Sequence, residues 1–375
     1  LGMSNIAYGH VVTAFLLSYT IAYALSGPFC DRVGVRWSMA TLIAWWSMAE
    51  LLPPFVHSAV GLGVARLLLG IGEAGIWLVG PKAVQQLFPP AQRGTAVGIY
   101  TAGATIGATI APPLIGSLTL RHGWQAVFLV TGAAGLLWII PWLLLYREGT
   151  PSAAVPVVQP GEPAPWHILL RTKNLWLLLL ARLLTDPVWF FYLFWYPKFL
   201  GSAAHLSLQR LGHTVWVIYL AADLGAILGG VFSGLLIRRG WMPMKAGRAV
   251  MTVAACVFPF SILIALAHSL PIMLGLASVL AFAHMAWLIC LTAIALDLFR
   301  QQELGTAFGF ISAGSGLGGL ISTELIGHAI GTLGYVPIFA VMGAMHPLAL
   351  LLIWSLRRSA GSRIELQPAL SPSPL

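Results

Sequence analysis

The chain has 375 residues, of which 58% are hydrophobic and 8% charged, with a mean hydropathy of +0.87 and a formal net charge of +9. A soluble domain carries about 25% charged residues, so this composition excludes a soluble domain and indicates an all-α polytopic membrane protein. The basic balance raises nucleic acid as a partner, but membrane topology accounts for it, as the Lys and Arg positions show.

Apolar runs of about 20 residues predict eleven spans, at 9–30, 37–57, 61–86, 95–118, 124–145, 174–199, 212–237, 247–267, 270–298, 304–328 and 335–356. The polar opening LGMSNIAYGH lacks the basic region of a cleavable signal peptide. One Pro-rich connection, 147–173, divides five spans from six and reads as an exposed linker. The chain thus divides into a first bundle (1–146), the linker, a second bundle (174–358) and a tail (359–375) expected to be disordered. If the loop after the first span is cytoplasmic, only Arg121, Lys198 and Arg210 of the Lys and Arg residues outside spans fall on the opposite side. That asymmetry orients the protein, places the linker and the C-terminus in the cytoplasm, and removes the need for nucleic acid. The three cysteines, Cys30, Cys256 and Cys290, match neither a disulfide framework nor a metal site. No metal, cofactor, ATP-binding loop or catalytic constellation is expected, and the chain does not read as an enzyme.

An internal repeat is visible. GTAVGIYTAGATIG from Gly94 and GTAFGFISAGSGLG from Gly305 share seven of fourteen positions at an offset of 211 residues. Both copies start at the cytoplasmic end of a span, so the repeat is parallel. Parallel halves place a substrate site near midplane between them. Shifted back by 211, the span 174–199 would precede Leu1, so the first half is expected to need one more helix, twelve in all.

Within the third span, Arg66 and Glu73 are seven residues apart, about 10 Å along one helix face. Charges there cost roughly 2.5–3.5 kcal/mol each on insertion scales, so they should line a cavity or neutralise each other. In the seventh span, Thr185–Leu200 reads TDPVWFFYLFWYPKFL, and Arg182 and Asp186 form a candidate intramembrane charge pair at i, i+4, just before Pro187. Asp223 is a candidate partner for either. Trp189, Tyr192, His284 and Trp287 are candidates for an aromatic wall with hydroxyl-binding handles, and Ser312 and Ser315 sit among glycines where backbone or ligand can approach closely. Glu50 and Glu324 lie near outer helix ends and are expected to be solvated. His346 has no evident partner.

The first loop, GPFCDRVGVRW, carries Gly27, Asp31, Arg32, Gly34 and Arg36. This pattern resembles the signature loop of the major facilitator superfamily, with Val35 where the family has a second basic residue. Gly234 to Gly240 resembles its degenerate second copy. Asp31 at a helix C-terminus opposes the helix dipole. It needs a cationic partner, Arg36 or another helix end, and such a latch would hold one conformation closed. Arg66 to Gly75, FPPAQR and the Ala-Pro-Pro at 111–113 narrow the resemblance to the anion:cation symporter group, and within it to bacterial hexuronate and galactonate transporters. The seventh span and AHMAW at 283–287 are similar to theirs.

The resemblance implies a major facilitator fold of two parallel-repeat helical bundles, with eleven of the expected twelve helices. It implies import of a sugar acid, a hexuronate such as glucuronate or galacturonate, with protons through a bacterial inner membrane, by a monomer. The substrate carboxylate would bind Arg66, the proton Glu73, and Tyr19 would contact substrate. A carboxylate arriving at Arg66 would weaken the Arg66–Glu73 attraction, which links anion entry to proton entry. Two departures stand out. Ile76-Trp77-Leu78 replaces the Asn-Trp-Pro common in relatives, and the group's first helix, with its acidic–basic pair, is missing. Carriage of other organic anions and a non-transporting remnant are the alternative readings.

Overall fold

The computed structural model describes residues 5–147, 166–203 and 214–357. Most of the predicted linker, Arg210 and the predicted tail lie outside the described residues. The first half comprises α1 (Asn5–Val33), α2 (Val35–Glu50), α3 (Ala59–Leu87), α4 (Pro90–His122) and α5 (Trp124–Leu145). A short α6 (Trp166–Leu169) precedes the second half. There follow α7 (Lys173–Phe190), α8 (Tyr196–Ala203), α9 (Trp216–Arg238), α10 (Pro243–Val257) and α11 (Ile262–Leu266). The last three are α12 (Leu270–Leu298), α13 (Leu304–Leu333) and α14 (Val336–Trp354).

Two pairs of these are single rods. A π turn, Phe191–Trp195, joins α7 to α8, and a 3-10 turn, Phe258–Ser261, joins α10 to α11. Among the described residues, eleven rods therefore fall in the predicted spans and no strand occurs. Eight of the described helical segments are long and apolar enough to cross a membrane. The helix does not break at Pro187. It runs on through the proline, whose missing N–H leaves a carbonyl free one turn back, and widens to π geometry from Phe191.

Local chemistry sets the boundaries. Ser58 caps α3 by accepting from the Gly61 amide at 3.1 Å, and Pro90 opens α4 at a position where no N–H is needed. The turns α1–α2, α4–α5, α9–α10 and α13–α14 each place a glycine at positive φ: Gly34 (84°), Gly123 (83°), Gly240 (88°) and Gly334 (71°). A Cβ is strained there. The same two turns recur in each half.

In the first half α3 packs on α1 and α2, and α5 on α2 and α4. In the second half α12 packs on α9 and α10, and α7 on α13 and α14. The halves meet along two crossings, α1 with α13 and α4 with α9. Both are glycine crossings. A Cβ on Gly27 would come within 2.4 Å of the Gly305 carbonyl oxygen, and one on Gly309 within 2.5 Å of that of Tyr23. At the other crossing, a Cβ on Gly98 would come within 2.4 Å of the Ala226 oxygen, and one on Gly230 within 2.3 Å of Gly94. Small residues let the backbones approach this closely.

The repeat glycines further along α4 and α13 differ in environment. A Cβ on Gly314 or Gly318 would lie 2.6 Å from the carbonyl oxygen of Leu179 or Leu183 on α7. At the repeat-related Gly103 and Gly107 it would meet nothing within 4 Å. Ile106 and Ile110 on the same helix are exposed. Among the described residues, no helix serves α4 as α7 serves α13.

Candidate functional site

Helix α3 carries Arg66 about 10 Å and Glu73 about 21 Å from its N-terminal end, at 1.5 Å per residue. The pairing expected from their spacing is not the one found. The Arg66 guanidinium lies 3.8 Å from the Glu50 carboxylate and over the Phe128 ring at 5.5 Å. Two helical turns hold Arg66 and Glu73 apart, whereas α2 ends beside Arg66 with an acidic residue that its own C-terminal dipole disfavours. Glu50 is therefore half-buried in an ion pair and not a solvated surface residue. Glu73 makes no ion pair among the described residues. It stays within electrostatic range of Arg66 and Glu50, and of Tyr19 and Tyr23 on α1.

Tyr19 is half-buried at the middle of α1. The Tyr23 hydroxyl donates to the Tyr19 hydroxyl at 3.1 Å, and the two rings meet edge to face at 4.8 Å. On the other side of this pair stands Arg182 of α7, whose charge reaches Tyr23 and Tyr100 across the interface. Arg182 donates through Nε and Nη2 to one oxygen of Asp186, at 2.8 and 2.6 Å. The charge pair predicted from the sequence is thus formed, with each residue as the other's partner. Glu73, Tyr19, Tyr23, Tyr100 and Arg182 make one polar group at mid-depth, drawn from both halves.

The predicted aromatic wall separates into two parts. Trp189 is half-buried and stacks on His284 at 5.7 Å with planes 6° apart, and it meets Tyr219 edge-on at 6.3 Å. Tyr192 and Trp287 are buried in the apolar core, and Ser312 and Ser315 are buried on α13. Among the described residues, the Tyr192 hydroxyl and Trp287 Nε1 are buried without a hydrogen-bond partner. His346, without an evident partner in the sequence, has one: its Nε2 lies 3.1 Å from His284 Nδ1. Its ring stacks on Phe258 at 3.4 Å.

The signature loop is built into a latch. Asp31, with 1% of its side chain exposed, binds Lys82 Nζ at 2.6 Å. It also accepts from the Gly305 amide at 2.8 Å, the Thr306 amide at 2.7 Å and the Thr306 hydroxyl at 2.6 Å. The acidic end of α1 thus caps the N-terminus of α13, where the dipole and free N–H groups favour an anion. Of the two partners open in the sequence, the other helix end is the one realised. Arg36 instead donates to the Leu143 carbonyl at 2.7 Å, tying α2 to α5. Gly34 forms the turn, and Arg32 is exposed.

A second tie lies at the other crossing. Arg93, at the start of α4, is ion-paired to Asp297 at the end of α12. Gln85 Nε2 donates to the carbonyls of Leu296 at 2.6 Å and Phe299 at 3.0 Å. Sequence reasoning missed Tyr23, Tyr100, Glu50, Lys82, Arg93 and Asp297 as participants. Tyr23 could have been found one helical turn from Tyr19, but the others meet their partners only across helices. Both ties lie at the end of the bundle richest in Lys and Arg.

Comparison with known proteins bears on the family and the fold. The model of the Major Facilitator Superfamily matches residues 1–262. A hexuronate transporter of Escherichia coli K12 is 28% identical over 373 residues, covering 95% of this chain and 86% of that protein. A galacturonate transporter of Dickeya chrysanthemi is 32% identical over 246 residues, covering 61% of this chain and 71% of that one. Among solved structures, a proton:xylose symporter superposes with a TM-score of 0.73 at 15% identity, covering 94% of this chain and 87% of that one. A human organic anion transporter, MFSD10, gives a TM-score of 0.72 at 18% identity, covering 92% and 83%.

Proposed function

The chain belongs to the major facilitator superfamily, and on that premise we propose that it imports a hexuronate-type sugar acid together with protons by alternating access. The working unit is a monomer in a bacterial inner membrane, and the positive-inside rule puts the Lys/Arg-rich end and the C-terminus in the cytoplasm. The observation that carries this reading is Glu73. Among the described residues it is a mid-depth carboxyl without an ion pair, within electrostatic range of the Arg66–Glu50 pair and of Tyr19 and Tyr23. Intramembrane charges of this kind mark substrate and proton paths.

With the Asp31 and Arg93 ties made, the cytoplasmic end is closed and the site is served from outside. A sugar-acid carboxylate takes Arg66 from Glu50, and a proton from the outer solution neutralises Glu73. Tyr19, Tyr23 and Trp189 offer hydroxyl contacts and an apolar face to the sugar ring. The neutral, occupied site then lets the halves rock about the glycine crossings. The ties break, and substrate and proton leave on the inside. The likeness to the hexuronate and galacturonate transporters supports this substrate class. A helix placed against Gly103 and Gly107, as α7 lies against Gly314 and Gly318, would complete the first half.

The test is uptake of labelled glucuronate and galacturonate into proteoliposomes under an imposed pH gradient, for this chain and for a version extended upstream to the next in-frame start. Uptake that follows the gradient in either form supports the reading. Absence of both uptake and binding in both forms overturns the sugar-acid assignment.

A further inference from the structure

The two halves end in corresponding corners, and the corners differ in chemistry. In the first half, Arg36 of α2 donates to the Leu143 carbonyl and covers the C-terminal end of α5. In the second half, Arg248 of α10 does the same for α14, with Nε donating to the Ile353 carbonyl at 3.1 Å and Nη2 to that of Leu356 at 2.7 Å. Each corner holds a cleft. The first, of 320 Å³, is lined by Trp138, Pro141, Trp142, Leu145 and Tyr146, with no charged group in its wall. The second, of 360 Å³, is lined by Met242, Met244, Lys245, Arg248, Leu356 and Arg357. One arginine covers the helix end at each corner, and the lining of the second cleft holds two further cations, Lys245 and Arg357.

Among the described residues Lys245, Arg248 and Arg357 make no ion pair. Lys245 Nζ lies 4.8 Å from the Trp241 ring centre, and Arg248 lies 5.5 Å from that of Trp354. Both tryptophans are exposed, as amphipathic rings are at a membrane–water boundary. Below the cleft, the outer faces of α10 and α14 present exposed Val253, Leu348 and Leu351. Three cations in a pocket at headgroup level, above an apolar face, suit a phosphate anion that carries acyl chains.

We propose that the corner between α10 and α14 binds the headgroup phosphate of an anionic phospholipid, with Lys245, Arg248 and Arg357 around the phosphate and Trp241 and Trp354 beside it. Free phosphate shares the headgroup's chemistry but lacks the acyl chains, so the two sources are separable. The site lies outside the transport path and does not depend on the substrate assignment.

The test uses the full chain in detergent, titrated with phosphatidylglycerol, cardiolipin or phosphatidylcholine and read by native mass spectrometry. Inorganic phosphate and glycerophosphate serve as the free-phosphate arm. Each cation near an anionic headgroup is worth about fivefold in binding, so K245Q with R357Q should lower anionic-lipid retention about 25-fold and leave phosphatidylcholine unaffected. Arg248 is left in place because it covers the end of α14. Both replaced side chains are exposed. If the double variant melts early, R357Q alone, with a loss of about fivefold, decides. Equal anionic-lipid retention by parent and variant overturns the proposal. So does binding of inorganic phosphate as strong as that of the lipid, which would make the ligand a soluble anion.

Discussion

Replacing Asp31 by Asn removes one negative charge and keeps the side chain's shape. In the structure that charge answers Lys82 and three donors at the start of α13, with both side chains of the ion pair nearly inaccessible (1% and 4% exposed). Removing one member of a buried pair costs about 3–5 kcal/mol, because the other is left uncompensated. The cost falls on the state in which α1 and α13 touch, since separating them gives Lys82 access to water. At about 3 kcal/mol, the ratio of closed to open at the Lys/Arg-rich end should fall ~150-fold. Spin labels at the exposed Arg32 and Arg300 report that separation, once the exposed Cys256 is replaced and with Cys30 and Cys290 buried. The D31N chain should show a longer, broader distance distribution than the parent. An unchanged distribution in a folded D31N protein would refute the latch, and with it the assignment of this structure to a state closed at that end.

Glu73→Gln should abolish accumulation driven by a pH gradient in proteoliposomes while substrate exchange persists in part; accumulation by the variant would remove Glu73 from proton coupling. Glu50→Gln frees Arg66 from a carboxylate at 3.8 Å. In a partly exposed pair that release is worth about 0.2–1 kcal/mol, so substrate affinity should rise by up to about fivefold in an equilibrium binding assay, whereas Arg66→Gln lowers it. Gly314→Ala drives a methyl to 2.6 Å from the Leu179 oxygen and should cost about 1–3 kcal/mol, read as a lower thermal midpoint in detergent. Gly103→Ala, at the repeat-related position, should be neutral or gain up to about 1 kcal/mol of helix propensity. In a version extended upstream by a docking helix, Gly103→Ala should instead lose stability as Gly314→Ala does.

Much of the fold was legible because a bilayer leaves the chain few choices. Twenty apolar residues can satisfy their backbone in hydrocarbon only as a helix, and the eleven predicted runs correspond to eleven rods among the described residues. The site was legible where one helix carries both partners: Arg182 and Asp186 are one turn apart, and their pairing follows from the spacing. It was not legible where partners come from different helices. Arg66 found Glu50, Asp31 found Lys82 and the start of α13, and His346 found His284. None of these pairs shares a helical face. How the aromatics group could not be read for a related reason. Trp189 and Trp287 lie on different apolar helices, and only packing decides that the first stays half-buried against His284 while the second is enclosed. Apolar residues on all sides of such helices erase the inside–outside contrast by which a soluble helix announces its buried face.

The internal repeat carries one further step. A duplicated sequence explains why glycines recur at an offset of 211, but not why they persist, and their surroundings separate two causes. Gly94 and Gly98 and their partners Gly305 and Gly309 all face the opposite half, where backbone oxygens approach within about 3.3 Å of where a Cβ would stand. These glycines make the two crossings, and a larger side chain at any of them would wedge the halves apart along the line on which they must roll. Gly314 and Gly318 face inward, toward α7 of their own half, and set how closely that bundle packs. Gly103 and Gly107 have the second kind of position and, in this structure, neither kind of neighbour. Glycine lowers helix propensity by about 1 kcal/mol relative to alanine, so two of them on a helix face with nothing to approach are a cost without a return. That cost is removed once a helix backbone lies against them, which is why the alanine substitution at Gly103 measures whether the first half is complete.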